Sequence, residues 1–156
     1  IEKPLSHSEL KVPETNVVII SVSDQGKVFF TIDGKFVRER LLTLVGEHHG
    51  ITFSEAEKSH FTLMSSIGIP VGELKDFLAL PSDIRQDVEQ PGIPCDSLHN
   101  ELVEWVLFAR VANPRVRIAV NADKDVPYRH VERVIQTLID NRIYRFNLFT
   151  ELEKEA

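Results

Sequence analysis

The segment VRIAVNADKDVPYRHVERVIQTLIDNRIYRFNLFTE, residues 116–151, changes its hydrophobic period twice. Val116, Ile118 and Val120 alternate with Arg117, Ala119 and Asn121, the period of a strand with one dry face. Tyr128, Val131, Val134, Ile135, Leu138 and Ile139 then recur at helical spacing, with Arg129, His130, Glu132, Arg133 and Gln136 on the other side. Alternation returns in Tyr144, Phe146 and Leu148 against Arg145, Asn147 and Phe149. Such a unit buries its apolar faces together as a strand–helix–strand crossover, which is right-handed if the two strands are parallel. No other stretch limits the fold so tightly.

The remainder supplies the rest of a sheet and its cover. NVVIISVS (16–23) and KVFFTI (27–32), joined by Asp24-Gln25-Gly26, read as a β-hairpin. Val37, Leu41, Leu44 and Val45 mark a helix after Asp33-Gly34, with Gly50 as its stop. Ser54 and Glu57 have capping-box spacing and start a second helix over about 54–66. Pro70 and Pro81 bracket a short third helix, and EQPGIPCDS (89–97) is loop. A longer, very apolar helix runs from Leu98 to Ala112, with Leu98, Leu102, Trp105, Val106 and Ala109 on one stripe, and is expected to pack against more than one neighbour.

Together these elements predict an α/β (α+β) fold: a mixed sheet of about four to five strands, helices mainly on one face, and a mostly helical insertion. The hairpin is apolar on both parities, so its second face needs cover, either from the middle segment or from a second copy of the chain. Residues 1–15, with two prolines and no sustained period, read as an extended leader, and 152–156 as a tail.

At 156 residues the chain fits one domain with a real core. Its formal net charge of −6 and lack of a basic stripe argue against a nucleic-acid partner. Its apolar runs, such as Val17-Val18-Ile19-Ile20, fall far short of the ~20 residues that span a bilayer. One cysteine permits no internal disulfide.

Candidate chemistry is sparse. The turn before the C-terminal helix holds Asp123, Lys124, Asp125 and Pro127 but no glycine. Asp123 and Asp125 could bind a divalent cation, yet a calcium loop's glycine and distal glutamate are missing, so one of them is expected to cap the helix. Glu47, His48 and His49 suggest metal ligation, but adjacent helical histidines diverge by about 100° and need help from elsewhere. A solvated helix end is expected there. Cys95 and His99 could form a thiolate–imidazole pair, without any nucleophile signature around them. Trp105 and Phe108 read as core rather than as a ligand cage. Phe149 shares its parity with Arg145 and Asn147, the face expected to lack helices, and an aromatic there is an interface hint unless the middle segment covers it. The residues themselves require no catalytic group, metal or cofactor.

Ala122-Asp123-Lys124, Val126, Tyr128, the stripe through Val134 and Leu138, and Asn147-Leu148-Phe149-Thr150-Glu151 resemble the periplasmic domain of the ExbD/TolR family. NVVIISVSDQGKVFFTIDGKFV (16–37) is similar to that family's opening hairpin and first helix. The chain departs from the common pattern by an insertion at about 46–96, so the resemblance places a periplasmic domain over 16–151.

The resemblance implies a non-enzymatic, single-pass inner-membrane protein whose transmembrane helix, with an essential aspartate, precedes this leader. It implies work beside an ExbB/TolQ-like channel subunit, as a homodimer that engages a TonB/TolA-like transducer, using the proton-motive force to energise outer-membrane transport. Leu148 matches a functionally important leucine of the closing strand, and Arg145, Asn147 and Phe149 join it as candidate partner-binding residues. An extended partner segment could add to that strand, or the leader at 1–15 could occupy the same edge. Two competitors remain: a TolR-like peptidoglycan-binding domain, and a small metal- or thiol-dependent hydrolase using Asp123, Asp125 or Cys95.

Overall fold

The structure, a computed structural model, describes residues 15–150. The leader therefore lies outside the described residues, apart from its last position, and so does the tail. In chain order the elements are β1 (Val17–Val22), β2 (Val28–Ile32), α1 (Lys35–His49), α2 (Glu55–Thr62), α3 (Val71–Ala79), α4 (Ser82–Arg85), α5 (Leu102–Ala112), β3 (Arg117–Ala122), α6 (Tyr128–Asp140) and β4 (Phe146–Thr150). They form the expected mixed α/β architecture around a four-stranded sheet in the order β2-β1-β3-β4. β1 and β2 are antiparallel, whereas β3 runs parallel to both β1 and β4. The crossover unit read from the sequence is thus β3-α6-β4, with its strands parallel and adjacent.

The register explains the dry face. Val18, Ile20 and Val22 align with Ile118, Val120 and Ala122, and all six join one buried cluster with Val28, Phe30 and Ile32. The helices supply Leu41, Leu42 and Val45 from α1, Trp105 and Val106 from α5, and Val131, Val134 and Leu138 from α6. Trp105 is wholly buried, with its ring 5.7 Å from Phe30 and 6.1 Å from Phe61. It is core, as its helical spacing indicated.

The hairpin's second face receives cover from the middle segment. A Cβ placed on Gly68 would stand 2.4 Å from the Phe29 ring, so the backbone there lies flat against that ring. The same segment occupies the outer edge of β2. Phe30 and Ile67 exchange backbone hydrogen bonds of 2.8 and 2.9 Å, and Ile93 N–H donates to Val28 O at 2.8 Å. Arg38 adds a clamp, with Nε donating to Ile32 O and Nη1 to Thr62 O, both at 2.8 Å. Sheet edges are templates for unwanted pairing, and this one is closed from within the chain.

Local chemistry sets several boundaries. Ser54 accepts from Glu57 N–H while Glu57 accepts from Ser54 N–H, the complete capping box predicted for α2. α1 ends as predicted at Gly50, which is left-handed at φ 70°. The long helix does not begin at Leu98. That residue is 96% exposed, because the Asp96 carboxylate accepts from the N–H groups of both Leu98 and His99 and holds a turn. Asn100 Oδ1 then accepts from Val103 N–H, and α5 starts at Leu102. Leu107 and Val111 remain exposed, so α5 is less enclosed than its composition suggested.

Other expectations are corrected at the C-terminal end. Neither Asp123 nor Asp125 caps α6. The cap position is Pro127, and the turn is held by Val126 N–H donating to Asp123 O. Tyr128 and Ile139 lie at the margins of the stripe and are exposed, while Thr137 is buried in their place. The last strand begins at Phe146, leaving Tyr144 and Arg145 exposed ahead of it. α4 was not foreseen, since four residues carry too little periodicity to be read.

Candidate functional site

The two edges of the sheet differ. β2 is bonded to the middle segment, whereas among the described residues β4 pairs only with β3. Half of a strand's backbone N–H and C=O groups point away from its one neighbour, so among the described residues the outer-side donors and acceptors of β4 have no backbone partner. α6 delivers the chain to that edge: Ile143 N–H donates to Leu138 O at 2.9 Å, and Arg142 turns through φ 62° to start the return.

Residues on β4 divide by parity. Phe146 and Leu148 stand opposite Ile118 and Val120 and so share the helix-covered face. Phe146 packs against the core, but Leu148, one pair further along, is 43% exposed. Asn147 and Phe149 stand opposite Ala119 and Asn121 on the other face. Asn147 is exposed and Phe149 half-buried, so the exposed apolar side chain of β4 is Leu148 rather than Phe149. Arg145 is exposed just before the strand. The four candidate residues thus fall within 145–149, three of them on β4 and Arg145 just before it.

The competing chemistries separate by geometry. Cys95 is buried with its Sγ 3.4 Å from Thr137 Oγ1, and burial pushes its thiol pKa up, away from the thiolate a nucleophile requires. His99 does not face it. The His99 Nε2 lies 3.0 Å from Glu101 Oε2, and that hydrogen bond raises the imidazole pKa. An open groove of about 350 Å³ runs between Cys95–Asn100 and α6, lined by both charge signs through Asp96, Arg129, Arg133 and Asp140. Asp123 and Asp125 are exposed and, among the described residues, belong to no cluster of metal-binding side chains.

Among the described residues one such cluster exists, and it contains the histidine pair noted in the sequence. His48 and His49 meet Glu104 of α5, which adjacent-residue reasoning on α1 alone had no means of finding. No helix among the described residues is long and apolar enough to cross a membrane.

Comparison with known families gives one finding: the model described as biopolymer transport protein ExbD/TolR matches residues 1–153. The match takes in the middle segment as well as the crossover unit and the hairpin. No curated protein and no solved structure matches significantly.

Proposed function

Because the chain belongs to the ExbD/TolR family of biopolymer transport proteins, we propose that it is the periplasmic, partner-binding module of an inner-membrane complex driven by the proton-motive force. In this reading it works as a homodimer beside an ExbB/TolQ-like channel subunit, without chemistry of its own. It passes the channel's conformational change to a TonB/TolA-like transducer and so energises outer-membrane transport. The proton step belongs to a transmembrane helix ahead of the leader.

The observation that carries the reading is the asymmetry of the sheet. The chain closes the β2 edge with its own middle segment and leaves β4 with one described neighbour. An extended transducer segment adding to β4 would gain backbone hydrogen bonds along Phe146–Thr150, and Leu148 would provide an apolar contact beside them. Such a contact can form and release without unfolding the core, as a cyclic transducer requires.

The test is cross-linking to the transducer in the full-length protein. Leu148→Arg should abolish it while leaving the protein folded and membrane-inserted. Phe36→Arg, at a residue 82% exposed at the start of α1, should leave it unchanged. Unchanged cross-linking in Leu148→Arg would rule out β4 as the transducer's docking edge.

A further inference from the structure

We propose that His48, His49 and Glu104 form a binding site for a borderline divalent cation of the zinc class, pinning the end of α1 to the start of α5. The inference is independent of any transducer function. Consecutive helical residues project about 100° apart, so two adjacent imidazoles do not ordinarily address one point. Here they do, because both lie in the last turn of α1 and face a single carboxylate across the α1–α5 contact.

The distances describe a nearly assembled triad. His49 Nε2 is 2.5 Å from Glu104 Oε1, His48 Nε2 is 3.8 Å from Glu104 Oε2, and the three ligand atoms lie within 4.8 Å of one another. Metal–ligand bonds of about 2.0–2.2 Å in tetrahedral array place ligand atoms about 3.3–3.6 Å apart. The two histidine–carboxylate gaps, one shorter and one longer, bracket that spacing. The ring of His48 meets that of His49 edge-on at 5.1 Å and rests 5.5 Å from Phe108, one turn after Glu104 on α5. Phe108 therefore limits the directions His48 can take and keeps its Nε2 near the carboxylate.

The donor set selects the ion. Two imidazole nitrogens and one carboxylate oxygen suit zinc, nickel or copper, whereas calcium and magnesium favour all-oxygen shells. Three protein ligands leave a tetrahedral ion one position open. That position faces solvent, since the His48 side chain is 52% exposed. Water fills it. The site is thus peripheral to the sheet and distant in the chain from β4.

The test uses the 156-residue chain and Zn²⁺ as the probe, in competition with a chromophoric zinc indicator of micromolar affinity. One ion per chain is expected, with no competition from excess Mg²⁺ and a rise in Tm on zinc addition. His48→Ala, His49→Ala and Glu104→Gln should each weaken binding by about tenfold or more, the scale seen when metal sites lose supporting groups. His99→Ala, at another exposed histidine, should leave binding unchanged. In the unsubstituted protein, zinc should shift the ring NMR signals of His48 and His49 and leave those of His60, His99 and His130 in place, a readout that does not depend on any variant folding. No zinc uptake, uptake unaffected by the three substitutions, or shifts centred on other histidines would overturn the site.

Discussion

Replacing Glu101 separates two roles held by one buried side chain. It is 7% exposed and stands immediately before α5. Its Oε1 accepts from Val71 N–H at 2.9 Å, the first amide of α3, and its Oε2 accepts from His99 Nε2 at 3.0 Å. The first bond satisfies a helix-terminal donor that has no acceptor within α3 itself. Glu101→Ala removes that acceptor and leaves a buried N–H unpaired, a loss of about 2–3 kcal/mol for a hydrogen bond to a charged group. For a chain of this size, 1 kcal/mol moves Tm by roughly 2–4 °C, so the expected fall is about 4–12 °C. Glu101→Gln keeps a carbonyl oxygen for Val71 and should cost about 1 kcal/mol or less.

The two variants also differ from wild type in their pH response. The Glu101 bond raises the His99 pKa in the folded state, so its contribution is fully present below the unfolded imidazole value and fades as pH rises through the folded one. The deficit of Glu101→Gln relative to wild type should therefore shrink on going from mildly acidic to alkaline pH, and the His99 pKa measured by NMR should drop in that variant. Thermal unfolding followed by circular dichroism reads the stabilities. Equal loss in the Ala and Gln variants would refute the assignment of Glu101 as the partner of Val71.

Two further substitutions test the packing of the middle segment. Gly68→Ala drives a methyl group to within 2.4 Å of the Phe29 ring and should destabilise by about 1–3 kcal/mol, relieved in part by Phe29→Leu; unchanged urea unfolding would contradict the close approach. Ser54→Ala should cost about 1 kcal/mol by opening the capping box. Burial by itself would raise the Glu57 pKa, but hydrogen bonds from Lys75 at 2.8 Å and from Ser54 N–H outweigh it and leave the carboxyl below its usual range. That stabilisation is present above the unfolded carboxylate value and is lost as pH falls through the folded one, and a Glu57→Gln variant should lack this acid-side decline.

The crossover unit was legible because its period changes twice, and a period survives whatever packs around it. The hairpin and the α2 capping box were legible for the same reason: Gly26 between strands, and Ser54 with Glu57, are local signals met by local bonds. What failed was set by groups outside the element being read. Leu98 looks like the first residue of the α5 stripe, yet the Asp96 carboxylate takes its N–H into a turn. Asp123 and Asp125 have the composition of a cap, but Pro127 occupies the cap position. The Leu148 side chain lies on the apolar parity as read, and its exposure follows from its place at the sheet margin, which strand order decides and periodicity does not. The His48–His49–Glu104 cluster joins residues 55 positions apart, a distance no local pattern spans.

The proposed function stands or falls on whether β4 is the edge that receives the transducer. The most direct measurement is a photo-cross-linking scan in the full-length membrane protein, with the reactive group placed in turn at each residue of Val28–Ile32 and of Phe146–Thr150. Adducts with the transducer along Phe146–Thr150, weakened by dissipating the proton-motive force and absent from Val28–Ile32, are the predicted result. Adducts from β2, or none from β4 in a protein that inserts and folds, would contradict it.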